Sequence, residues 1–271
     1  MSAPPGAARA FGALFAETLR DAVRRRGLIA AALASLGAAL LVQRCGSCET
    51  NVVLQGEDLA LRSGQLGAIG ALLGFGVVAL WTYALTALLA SDGLMTAIDD
   101  GTAESTLARP VSRDVFVAAR CVGLWSGCFA IGAALLALVA GLAAARHGLS
   151  WAPALHAIGA VGTAALGVAA LAMWTSLHLP RVPTLLGLTS LGLAVCGIEL
   201  AALFGAAGSG WVGAVAHLGP AWLSAPVAAL APWLSDPLPG SPAWPQTRAL
   251  AWAALFALLL RVRFRRVELL R

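Results

Sequence analysis

Residues 99 to 123 read Asp-Asp-Gly-Thr-Ala-Glu-Ser-Thr-Leu-Ala-Arg-Pro-Val-Ser-Arg-Asp-Val-Phe-Val-Ala-Ala-Arg-Cys-Val-Gly. Gly101 and Pro110 bound a short helix, because proline cannot continue one and glycine readily ends one. Ser112 can cap the helix that restarts, with Asp114 favourably placed in its first turn. Asp99, Asp100, Gly101, Thr102, Glu104, Arg109, Pro110 and Arg113 thus form a rigid, charged break that can dock a soluble partner. The plainer alternative is a solvated loop. Glu199 is the only acid inside a predicted span, where carboxylates are costly. It can line a polar path or bind a cation, although it lies only about five residues, or one and a half turns, from the outer end.

Cys45 and Cys48 form a Cys-Gly-Ser-Cys. In an oxidising compartment this spacing allows a bridge, a thiol redox pair or half of a soft-metal site. No histidine accompanies it in that loop, so a metal assignment has little support. Cys121, Cys128 and Cys196 fall in apolar stretches and read as small core residues. His147, His156, His178 and His217 are scattered, with no pair at metal-ligand spacing. No Ser-His-Asp, His-Glu-x-x-His or phosphate-loop pattern is present. All 18 basic residues are arginine, so neither a Schiff-base lysine nor a phosphate-loop lysine exists here.

The elements that carry these residues follow from composition. The chain has 271 residues, 59% hydrophobic and only 11% charged, too few charges to cover a soluble protein of this size. Apolar stretches of roughly 20 residues recur, the length that crosses a bilayer as a helix. Abundant alanine and 30 glycines suit close helix packing in lipid. The expected fold is all-α and polytopic with six spans, at about 28–42, 66–90, 121–145, 154–177, 184–204 and 244–260. Residues 1–27 precede them as an amphipathic interfacial helix, with Phe11, Leu14, Phe15, Thr18, Ala22 and Val23 on one face. Residues 28–271 form a single membrane domain, with a charged cytoplasmic segment at 91–120.

The path of 205–240 is the open choice. Its stretch from Trp211 to Leu234 is apolar enough to span, but Gly219, Pro220, Pro226 and Pro232 interrupt it, and each interior proline removes a helix hydrogen bond. Six spans with both termini in the cytoplasm leave only Arg44, Arg62, Arg146 and Arg248 outside. The other 14 of the 18 arginines then lie inside, as the positive-inside tendency demands. A seventh span would export the C-terminal arginines. Residues 205–240 are therefore expected as broken helices dipping into the outer leaflet, with Trp211, Trp222, Trp233 and Trp244 in an interfacial layer. The net charge of +5 then reflects cytoplasmic loops rather than a nucleic-acid surface.

The 99–123 segment resembles the cytoplasmic loop after the second span in ABC-2 type transporter permeases. The matching residues are Asp99, Gly101, Thr102, Glu104, Leu107, Arg109, Pro110, Val111, Ser112, Arg113, Arg120 and Gly123. Ala97 departs from a position that is often acidic, Asp99 stands for the usual Glu, and Arg120 for the usual Lys. The resemblance implies the permease subunit of an ATP-binding-cassette transporter in a bacterial inner membrane. This chain would carry no cofactor and not be an enzyme. ATP and magnesium would sit on a separate ATPase subunit, docked at Asp99–Arg113, and a second permease copy or paralogue would complete the dimer. The substrate is not legible, and export is the expected direction. Sparse polar residues in the spans suit an amphipathic or lipid-linked cargo, or a role in transmitting force. A membrane-embedded thiol or metal protein using Cys45 and Cys48, and a non-transporting anchor using the same loop, are the alternatives from other classes.

Overall fold

In the computed structural model the described residues are 6–24, 37, 63–108, 111–203, 210–234 and 243–266. The predicted first span and the Cys45–Cys48 loop lie outside them. Every regular element among the described residues is helical. In chain order these are α1 (Ala7–Arg24), α2 (Ser63–Asp99), α3 (Thr102–Leu107), α4 (Arg113–His147), α5 (Trp151–Ser176), α6 (Arg181–Leu203), α7 (Trp211–Leu218), α8 (Ser224–Leu230) and α9 (Ala243–Arg265), with a 3-10 turn at Ala231–Trp233. Four of them, α2, α4, α5 and α6, are long and apolar enough to cross a membrane. The chain is therefore an α-helical membrane-embedded protein.

The helices run longer than the apolar stretches that predicted them. With 37 residues, α2 extends about 55 Å at roughly 1.5 Å per residue, well beyond the roughly 30 Å of a hydrocarbon core. Residues 91–99 contain no proline, so α2 continues past Asp92. It ends only at Gly101, whose φ of 69° is left-handed, a conformation glycine adopts without a Cβ clash. Likewise α4 starts at Arg113 because Ser112 caps it, its hydroxyl accepting the Val115 N–H at 3.3 Å. Such a bond satisfies a backbone donor that the first helical turn leaves free. Charge sets where a helix leaves the membrane; breakers and caps set where it stops.

The centre of the bundle is α5, which packs against α2, α4, α8 and α9. Of its most apolar stretch 72% is buried, against 22% for peripheral α6. Its buried residues are mostly alanine, from Ala154 to Ala172, and small side chains let neighbouring backbones approach where lipid offers no hydrophobic drive. Less apolar than the four, α9 nevertheless runs the height of the bundle. Arg248 at its start meets α6, and Arg261 and Arg265 at its end meet α4.

Helix α1 buries the face its periodicity predicts, against protein. Leu14, Thr18 and Ala22 are buried, and the helix packs along α4. A Cβ placed on Gly123 would lie 2.9 Å from the Thr18 Cβ, so only glycine lets the two helices approach this closely. By contrast, nothing lies within 4 Å of a Cβ at Gly70 in α2. Gly123→Leu is expected to lower stability by about 1–3 kcal/mol through overpacking, while Gly70→Ala changes it little; denaturant unfolding in detergent of both variants checks this.

Candidate functional site

The predicted break between the two longest helices is present as a folded unit. Asp100 N–H donates to the Thr96 carbonyl at 2.9 Å and Gly101 N–H to that of Ile98 at 3.1 Å, closing α2. The Thr102 hydroxyl reaches back to the Ala97 carbonyl at 3.0 Å, and Ala103 is fully buried. Within α3, the Thr106 hydroxyl donates to the Thr102 carbonyl, and Ala108 N–H to the Glu104 carbonyl. Leu107 and Val111 pack on the core. One side of the segment is thus anchored, while Asp99, Asp100, Thr102 and Glu104 are exposed. Arg109 and Pro110 lie outside the described residues.

Arg113, expected among the docking residues, is engaged within the fold. Its guanidinium donates to the Arg265 carbonyl at 3.0 Å, at the end of α9. Beside it, Asp114 accepts from Arg261 Nε at 3.1 Å and Nη2 at 2.8 Å, and from Arg265 Nε at 2.8 Å and Nη2. Arg261 and Arg265 are one helical turn apart and present a fork to one carboxylate. Sequence reading gave Asp114 only a role toward its own helix. In the structure it ties the start of α4 to the end of α9, and Phe116 stacks on Phe264 just inside, centroids 6.0 Å apart.

At the opposite end, Glu199 has a partner that sequence reading missed. Its Oε1 lies 3.2 Å from Arg248 Nη2, and both side chains are buried. Glu199 Oε2 accepts the Leu223 N–H at 2.7 Å and the Ser224 N–H at 3.4 Å, while Oε1 accepts the Ser224 hydroxyl at 2.8 Å. Arg248 also donates to the Ser224 hydroxyl at 2.8 Å and to the Ala216 carbonyl at 2.5 Å. The pair therefore serves both ends of the break between α7 and α8: the carboxylate takes amides at the start of α8, and the guanidinium takes a carbonyl at the end of α7. These are the backbone groups a helix terminus leaves without partners. The sequence held one signal, that Glu199 and Arg248 are the only charged residues inside predicted spans and are opposite in sign, but nothing in it paired them.

Two further contacts complete the break. The Tyr83 hydroxyl of α2 donates to the Trp222 carbonyl at 2.8 Å, and the Trp252 indole of α9 to the Leu218 carbonyl at 2.7 Å. The expected tryptophan layer divides accordingly. Trp211 and Trp244 are exposed, as an interfacial layer requires, whereas Trp222 and Trp233 are buried. The Trp233 indole donates to the Ser150 carbonyl between α4 and α5 at 2.9 Å.

Beside this network, an apolar cleft of about 440 Å³ opens between α2, α5 and α6. Val78, Trp81, Leu171, Leu193 and Trp222 line it. It suits an apolar chain. Cys121, Cys128 and Cys196 are buried free thiols.

No protein-family model matches the chain, and no curated protein matches its sequence. Its class, an α-helical membrane-embedded protein, rests on the four long apolar helices.

Arg248→Leu is expected to destabilise the protein by about 3–5 kcal/mol, because it strands a buried carboxylate. Glu199→Gln together with Arg248→Leu should cost less than the sum of the single changes. Thermal unfolding of the four members of this cycle measures the coupling; strict additivity would remove the pair's role as a joint cap.

Proposed function

We propose that the chain is the permease subunit of an ABC-2 type ATP-binding-cassette transporter. One observation carries the reading. A short helix, α3, is anchored on one side between the ends of the two longest helices and offers Asp99, Asp100 and Glu104 to solvent on the other. A push on such an element is transmitted, because Thr102 and Ala103 join it to α2 by a hydrogen bond and by burial. The continuous helices α2 and α4 then carry the displacement through the membrane as rigid bodies.

In this reading the chain supplies no ATPase site of its own. A separate cassette ATPase, holding ATP and magnesium, docks on Asp99–Arg113, with Glu104 and Arg109 as the contacts; Arg113 acts by holding the end of α9. The chain crosses a bacterial inner membrane six times, counting residues 28–42 and α9, with both termini in the cytoplasm. Two permeases and two ATPases form the working assembly, and its direction is export. The apolar cleft beside Trp222 supports an amphipathic or lipid-linked cargo over a hydrophilic one.

Purification from the host in mild detergent should recover a stoichiometric cassette ATPase. Glu104→Arg or Arg109→Glu should reduce transport-coupled ATP hydrolysis at least tenfold while leaving membrane insertion unchanged. A partner without a nucleotide-binding fold would favour the anchor alternative, and unchanged hydrolysis in both variants would remove the docking role. A reporter fused to the C-terminus is expected on the cytoplasmic side; protection on the outer side would overturn the six-span topology.

A further inference from the structure

A second cavity, polar and of about 330 Å³, lies where α1, α2, α3 and α4 meet. Its charged lining is Glu17 and Asp21 from α1, Asp100 from the end of α2, and Arg120 from α4. Glu17 and Asp21 are one helical turn apart and so share a face. Arg120 is only 8% exposed, and its Nε is buried without a hydrogen-bond partner. Its guanidinium covers the Phe116 ring, 5.6 Å from the centroid, and forms no ion pair among the described residues. A largely buried guanidinium with no ion-pair partner calls for an acceptor, and the cavity that Arg120 lines is where one can be supplied to its terminal nitrogens.

The chemistry of the lining selects the ligand. Three carboxylates and one guanidinium line the cavity, so a simple anion is repelled and a simple cation leaves Arg120 uncompensated. A ligand with a phosphate and a nearby primary ammonium satisfies both, the phosphate accepting from Arg120 and the ammonium donating to the carboxylates. The place supplies the source. The cavity sits where α2 passes from its apolar stretch to Asp92, Asp99 and Asp100, and such a polar boundary is where a spanning helix enters the headgroup layer. Helix α1 beside it is amphipathic, the kind of helix that lies in this layer.

We propose that this cavity is a lipid headgroup site that takes phosphatidylethanolamine from the leaflet carrying α1, with the phosphate on Arg120 and the ammonium on Glu17, Asp21 and Asp100. Such a lipid bridges α1 to the junction of α2 and α3, so it steadies the segment whose outer side is exposed. The site does not depend on the transporter reading.

The test is thermal unfolding of the full chain in detergent, titrated with phosphatidylethanolamine, phosphatidylcholine or phosphatidylglycerol of identical acyl chains. Phosphatidylethanolamine should raise the midpoint at concentrations at least tenfold below the other two, since choline has no N–H donor and glycerol no cation. Arg120→Gln should abolish this preference. Glu17→Gln with Asp21→Asn, both on exposed positions of α1, should abolish the preference over phosphatidylglycerol, and this variant carries the test if Arg120→Gln does not fold. Equal response to the three lipids, or an unchanged preference in the variant that folds, would overturn the proposal. Displacement of the lipid by soluble phosphoethanolamine at equal concentration would overturn its assignment to a membrane lipid.

Discussion

A helix that breaks inside or beside a bilayer must find partners for the backbone groups it exposes, because no water is present to satisfy them. The break between α7 and α8 is where this requirement falls hardest here. Four side chains from three long helices meet it: Tyr83 of α2, Glu199 of α6, and Arg248 and Trp252 of α9, reaching carbonyls and amides between Ala216 and Ser224. The charges are tolerated because each makes several hydrogen bonds at once, including those to Ser224. A buried ion pair that did nothing else would be close to neutral for stability. This one determines where the broken helices sit, and with them the buried Trp222 that lines the apolar cleft.

The same helix, α9, is tied at both ends. Arg248 binds it to α6 and the α7–α8 break; Arg261 and Arg265 bind it to Asp114 at the start of α4. Between these ties it packs on α5, whose small side chains allow close contact without polar bonds. The charged break between α2 and α4 is thereby connected across the bundle, through α4 to α9 and from there to α7 and α8. The two ties differ in strength. Asp114 and its arginines are partly solvated and can exchange with water, whereas Glu199 and Arg248 are buried and cannot part without stranding a charge.

The sequence by itself determined the all-helical, membrane-embedded class, since so few charges spread over repeated apolar stretches admit no soluble solution. It determined the short helix between Gly101 and Pro110, the Ser112 cap and the interruption of 210–234, because glycine, proline and a capping hydroxyl act on the backbone within a few residues. The buried face of α1 was also legible from its period, through Leu14, Thr18 and Ala22. What only the tertiary structure decided was which charges meet. Glu199 and Arg248 are 49 residues apart and Asp114 and Arg261 are 147 apart, and periodicity holds no information across such separations. For the same reason Arg113 read as a free contact, Trp222 and Trp233 read as an interfacial pair, and the cavity at Arg120 had no signature. Each of these depends on helices distant in the chain being brought side by side, and helix packing in a membrane is set by the fit of small side chains over whole surfaces, not by any local run of residues.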